Sequence, residues 1–153
     1  MSQRTYASLF YHLVWGTKNR VPYIFTDIKK PLYEYIGRVV DRKGWCLLAI
    51  GGVSDHVHIL VQTNCHTYPV SELVCRIKSN TSKFMRDNFD SNFTWQRGYS
   101  VFSSDIKACT AIKNYILKQE EHHKDISFEK EFELLLKRYN IKYDEKDKKS
   151  FFE

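Results

Sequence analysis

In Ser54-Asp55-His56-Val57-His58-Ile59-Leu60-Val61, two histidines stand on either side of one apolar residue. Successive side chains on a strand point to opposite faces, so His56 and His58 project the same way while Val57 faces the other. Two imidazoles side by side can hold a divalent metal. An isolated pair of this kind is more often two histidines on a sheet surface, so its chemistry depends on what accompanies it. A second group lies downstream, where Tyr115 and Gln119 are four residues apart on a predicted helix and therefore share one face, with His122 on the same flank. A lone tyrosine at the edge of an apolar stripe usually packs its ring and leaves its hydroxyl in water. Asp55, next to His56, can orient an imidazole or the neighbouring backbone, or simply shape the turn.

The elements that must position these residues follow from patterning. Tyr6 to Thr17 is aromatic and β-favouring, a first strand, and Lys18 to Pro22 a basic loop. Thr26 is a candidate cap for a helix with apolar positions Leu32, Ile36, Val39 and Val40, stopped at Gly44. Trp45 to Ile50 and His56 to Gln62 read as strands. Beyond the polar stretch 63–69, Ser71 is a cap candidate for a helix with the stripe Leu73, Val74, Ile77, Thr81, Phe84 and Met85. Tyr99 to Ser103 is a fourth short strand. One helix is expected from Asp105 to about His123, with Cys109, Ile112 and Ile116 buried. Ser127 opens a last helix through Phe132, Leu135, Leu136 and Tyr139. The order β-α-β-β-α-β followed by helices predicts an α+β, ferredoxin-like (RRM-like) antiparallel sheet with added C-terminal helices. A single domain over 1–143 is expected, with a charged, frayed tail over 144–153 in which Phe151 and Phe152 are free to dock.

At 153 residues the chain can bury one core and not two. The net charge of +6 favours a polyanionic partner, and the 15% aromatic content adds the means to stack on bases. No apolar run approaches a membrane span, and the start Met1 to Thr5 lacks the apolar core of a signal peptide, so a cytoplasmic location is expected. The four cysteines, Cys46, Cys65, Cys75 and Cys109, form no CxxC pair and read as reduced and mostly buried.

Three blocks in order, Tyr11 to Arg20, Asp55-His56-Val57-His58, and Tyr115 with Gln119, strongly resemble the single-tyrosine HUH transposases of the smallest bacterial insertion sequences. Trp95 to Ser103 resembles one branch of that family. The resemblance implies that His56, His58 and Gln119 bind the metal, Mg²⁺ or Mn²⁺, and that Tyr115 is the nucleophile. It further implies a homodimer, with active sites often completed in trans, that binds hairpins at the element's ends and cuts single-stranded DNA beside them. Attack by Tyr115 would leave a 5′-phosphotyrosine and a free 3′-OH, a linkage that a second 3′-OH can reseal without ATP. Because imidazoles bind metal when neutral, activity should fall as pH drops through about 6.5.

Candidate phosphate contacts are Lys18, Arg20, Arg76, Lys78, Lys83, Arg86 and Arg97, of which Lys18 and Arg20 sit inside a family-like block. Trp95 and Tyr99 are candidates for base stacking, or equally for core roles. Two other readings fit parts of the pattern. A non-catalytic hairpin-binding module explains the fold, charge and aromatics but gives no reason for a histidine pair beside a Tyr/Gln pair. A metal-dependent nuclease using water would share the histidines and form no covalent adduct. A relaxase or replication initiator shares the chemistry but is usually larger.

Overall fold

The computed structural model describes residues 6–64 and 69–153; the start Met1 to Thr5, Cys65 and the middle of the polar stretch lie outside the described residues. Strands β1 (Leu9–Gly16), β2 (Cys46–Val53), β3 (His56–Thr63) and β4 (Ser100–Ser104) form one sheet in the order β2-β3-β1-β4. Every neighbouring pair is antiparallel. This is the expected ferredoxin-like plan.

Helices α1 (Thr26–Arg42) and α2 (Val70–Asn88) cover one face of the sheet. Their stripes, including Leu32, Ile36, Val40, Leu73 and Ile77, pack on Leu13, Trp15, Val57, Ile59 and Val61. The opposite face is covered as well. Helices α3 (Cys109–Leu117) and α4 (Gln119–His122) lie toward β2, α5 (Phe128–Arg138) toward β1 and β4, and α6 (Glu145–Phe151) closes the chain. There Cys109 and Ile116 meet Phe10, Ala49 and Leu60, while Phe128, Phe132 and Leu136 meet Val14 and Phe102. Strand β3 is thus buried on both faces, which is why His56 through Val61 contains no exposed position.

Local chemistry accounts for the boundaries, with some departures from expectation. Helix α1 ends at Gly44 as expected: Gly44 N–H donates to Asp41 O and Trp45 N–H to Val40 O, the paired bonds of a Schellman end. Ser127 caps α5 by accepting from Lys130 N–H. Thr26 and Ser71, however, are the first and second residues inside their helices, preceded by Phe25 and Pro69, and neither caps with its side chain. The single helix expected over 105–123 is two. Asp105 Oδ1 accepts from Ala108 N–H in a turn before α3, and Lys118, at φ −102° and ψ 20°, separates α3 from α4. Cys46 and Cys75 are exposed rather than buried; they and buried Cys109 are free thiols. In place of a frayed end, α6 is helical, capped by Asp144, and packs Phe151 and Phe152 against Phe132. Among the described residues no helix is long and apolar enough to cross a membrane.

Candidate active site and metal centre

The site forms on the face of β3 turned away from α1 and α2. In the sheet register His58 lies between Val14 of β1 and Gly51 of β2, and His56 lies opposite Gly16. Both glycines are places where other elements come close. A Cβ on Gly51 would stand 2.2 Å from the carbonyl oxygen of Ile116, so α3 can rest on the strand and bring Tyr115 over the histidines. A Cβ on Gly16 would stand 2.7 Å from Cε2 of Phe128, whose ring stacks on His56 with centroids 4.1 Å apart.

One carboxylate gathers the group. Glu131 of α5 is buried, and its two oxygens face different partners. Oε1 is 2.8 Å from His58 Nε2, 3.2 Å from His56 Nε2 and 3.1 Å from His123 Nε2. Oε2 accepts from the Tyr115 hydroxyl and, at 3.0 Å, from Gln119 Nε2. Gln119 Oε1 in turn lies 3.0 Å from His56 Nε2, and Asp55 Oδ1 lies 2.7 Å from His56 Nδ1. His12, on the same face of β1, places Nε2 2.8 Å from His58 Nδ1. Tyr115 and Gln119 therefore meet at Glu131 rather than along one continuous helix. His56, His58, Tyr115 and Gln119 come together within one chain, and Asp55 sits against His56 as an orienting group would.

The electrostatics follow from these contacts. Burial would lower the pKa of His56, but acceptors at both ring nitrogens, Asp55 first and then Glu131, raise it to about 9. His58 is held down at about 4 by burial, and His12 at about 3 by burial and by His58 beside it, so both stay neutral and share one proton-donating chain into Glu131. Burial opposes the charge on Glu131, yet His123, His56 and His58 outweigh it and keep the carboxyl ionised well below its ordinary range. Tyr115 is pushed above its ordinary value by burial and by the Glu131 charge, and rests protonated.

The donor set fits a divalent metal. One ligand atom each from His56, His58 and Glu131 lies within 4.8 Å of the others, and the Gln119 oxygen adjoins them. Two imidazoles with carboxylate and amide oxygens suit Mn²⁺ better than Mg²⁺, which prefers oxygen alone. Openings lead toward this centre. A groove of about 710 Å³ is lined by Arg20, Phe25, Lys29, Asp55 and His123, and a cavity of about 340 Å³ by Tyr115, Glu131 and His12 among others.

The basic candidates are dispersed. Lys18 is exposed, and Arg20 borders the groove, paired with Glu129 and lying over the Phe152 ring. Arg76, Lys78, Lys83 and Arg86 belong to α2, on the far side of the sheet from the histidines. The Lys78 ammonium donates to the carbonyls of Gln96, Arg97 and Gly98, and Lys83 pairs with Asp87. Arg86 donates to Phe93 O at 3.4 Å; it, Lys78 and exposed Arg97 line a separate shallow groove with Tyr99. Trp95 is in the core, its Nε1 donating to Thr81 Oγ1, and Tyr99 is partly exposed. Sequence reasoning missed Glu131, His12 and His123. A signal existed for Glu131: three residues after Phe128 and four before Leu135, it falls inside the apolar stripe of α5, where an unpaired acid is not expected.

The family model described as Transposase IS200 like matches residues 5–119, a segment that holds His56, His58, Tyr115 and Gln119 and stops short of Glu131. No curated protein matches the chain. Among solved structures, a Deinococcus radiodurans R1 protein assigned provisionally as a transposase superposes with a TM-score of 0.64 at 21% identity, covering 76% of this chain and 94% of its own. A REP-associated tyrosine transposase bound to a REP hairpin superposes with a TM-score of 0.62 at 16% identity, covering 82% of this chain and 75% of its own. At these identities the likeness is one of fold. The family match spans the sheet, both flanking helices and the two halves of the site, and by it the chain belongs to the IS200-like transposase family.

Proposed function

We propose that this chain is a metal-dependent tyrosine DNA transposase that cuts and rejoins single-stranded DNA beside hairpins through a 5′-phosphotyrosine intermediate. One observation carries the reading: Tyr115, Gln119, His56 and His58 converge on the single buried carboxylate of Glu131. A metal held by His56, His58 and Glu131, with Gln119 alongside, would be Mg²⁺ or Mn²⁺ and would supply Lewis-acid polarisation of the scissile phosphate.

The chain's own residues do the rest. The Tyr115 oxygen attacks phosphorus, the bond from phosphorus to the 3′-oxygen breaks, and a 3′-OH leaves while the 5′-phosphate stays on tyrosine. Glu131 Oε2, already accepting the phenol hydrogen bond, takes the proton as the new bond forms and passes it to the departing 3′-oxygen, which leaves as the 3′-OH. Asp55 holds the His56 ring in place. Attack by a second 3′-OH reverses the step and restores the tyrosine. Because the tyrosine and histidines of one chain share one carboxylate, the reading favours assembly in cis, and a homodimer would pair two complete sites. Residues 1–143 are taken as the transposase domain, and the cytoplasm as its location.

Covalent trapping tests the proposal. Protein is mixed with labelled single-stranded DNA from the element's own ends and Mg²⁺ or Mn²⁺, then run on a denaturing gel. The expected result is a metal-dependent protein–DNA band absent from Tyr115→Phe and His56→Ala. Cleavage without a band that survives Tyr115→Phe makes water the nucleophile and defeats the reading.

A further inference from the structure

The cavity beside Tyr115 holds more chemistry than cleavage alone accounts for. It lies between α3, α4 and α5, has a volume of about 340 Å³, and is lined by Tyr115, His122 and Arg138 together with apolar Ile112, Leu134 and Leu135. That size is at the lower end for ligand sites and suits a nucleotide-sized fragment. Two of its polar groups lack protein partners. His122 Nε2 is buried and makes no hydrogen bond, while the His122 ring packs on the Tyr115 ring with centroids 4.7 Å apart. Among the described residues Arg138 makes no ion pair or hydrogen bond, whereas Lys137 beside it pairs with Glu133. A guanidinium and an imidazole facing one cavity next to a nucleophilic hydroxyl are donors for an anionic oxygen.

We propose that this cavity is a phosphodiester subsite in which Arg138 and His122 hold the backbone of the strand that Tyr115 attacks, with the apolar wall taking the attached base or sugar. This deepens the tyrosine-transposase reading and rests on it for the identity of the strand. Arg138 is a positioning residue: it aligns the strand and takes no part in bond making. A guanidinium is suited to the task because it grips two phosphate oxygens at once and stays charged at any working pH.

The test is strand binding by fluorescence anisotropy with a labelled single-stranded DNA oligonucleotide in EDTA, titrated with KCl, for wild type, Arg138→Ala, Arg138→Lys and Lys137→Ala. Arg138 is exposed at the end of α5, and circular dichroism checks that each variant is folded. Losing one charge-assisted phosphate contact should weaken binding roughly tenfold and reduce the slope of log affinity against log salt by about 0.7. Arg138→Lys should restore most of the slope, and Lys137→Ala should change neither quantity. Unchanged affinity in Arg138→Ala, or weaker binding with an unchanged slope, overturns the subsite. The trapping assay separates the two ideas. If wild type forms no adduct yet the Arg138 dependence of binding persists, the tyrosine chemistry fails and the subsite stands. If adduct forms equally in Arg138→Ala at sub-saturating strand, the subsite fails and the chemistry stands.

Discussion

Replacing Glu131 by Gln keeps the shape of the side chain and removes the charge at the centre of the site. That carboxylate faces His56, His58, His123, Gln119 and Tyr115, and it is 1% exposed, so water does not screen the loss. Removing one partner of a buried charged pair costs about 3–5 kcal/mol, because the other charge is left uncompensated. Glutamine still offers one acceptor, and Asp55 still holds His56, so the lower end, about 3 kcal/mol, is expected. For a chain of this size 1 kcal/mol moves Tm by about 2–4 °C, which gives a fall of about 6–12 °C in EDTA at pH 7. The His56 pKa, followed by NMR of the imidazole, should drop below about 9 as the Glu131 contribution disappears. Adding Mn²⁺ should then raise the Tm of wild type more than that of Glu131→Gln, since a ligand bound only by the folded state stabilises it in proportion to its affinity. A Tm within 2 °C of wild type would refute the electrostatic argument. A larger Mn²⁺ stabilisation in the variant than in wild type would show Glu131 to be a plug that metal must displace, not a ligand.

Two further outcomes follow from the same contacts. In EDTA the stability should peak near pH 6.5: a raised His56 pKa contributes about 3 kcal/mol that is fully present below about 6.5 and is lost as pH rises through about 9, while His58 and His12, buried neutral at about 4 and 3, oppose folding as pH falls below 6.5. Thermal melts across pH 5 to 10 check this, and a Tm that climbs steadily from pH 6 to 9 contradicts it. Gly16→Ala forces a methyl against Phe128 and the Asp55 carbonyl and should cost about 1–3 kcal/mol in urea denaturation. By contrast Gly37→Ala, inside α1 and with Leu47 Cδ2 of β2 at 3.4 Å from the added Cβ, should be neutral or stabilising by up to about 1 kcal/mol; equal effects at the two positions would undo the close-approach argument.

What could be read from the chain divides by the range of the interactions involved. The shared face of His56 and His58 needs only the period of a strand, and the sheet register bears it out. Ser127 and Gly44 mark helix ends through bonds spanning a few residues, and those were legible. The break at Lys118 was not: no Gly or Pro marks Leu117-Lys118-Gln119, and the helix parts where α4 must turn Gln119 toward His56. Likewise a basic helix face does not reveal which ammonium is committed, and Lys78 is held by three carbonyls about twenty residues away. Glu131 is the sharpest case, because it meets His58 across 73 residues of sequence. Its position on the apolar stripe of α5 nevertheless carried information: a buried carboxylate requires cationic or metal partners. The histidine face left unpaired by the strand pattern was where such partners stood. The two anomalies explain each other, and so α5, beyond the matched family segment, belongs to the proposed active site rather than to its surroundings.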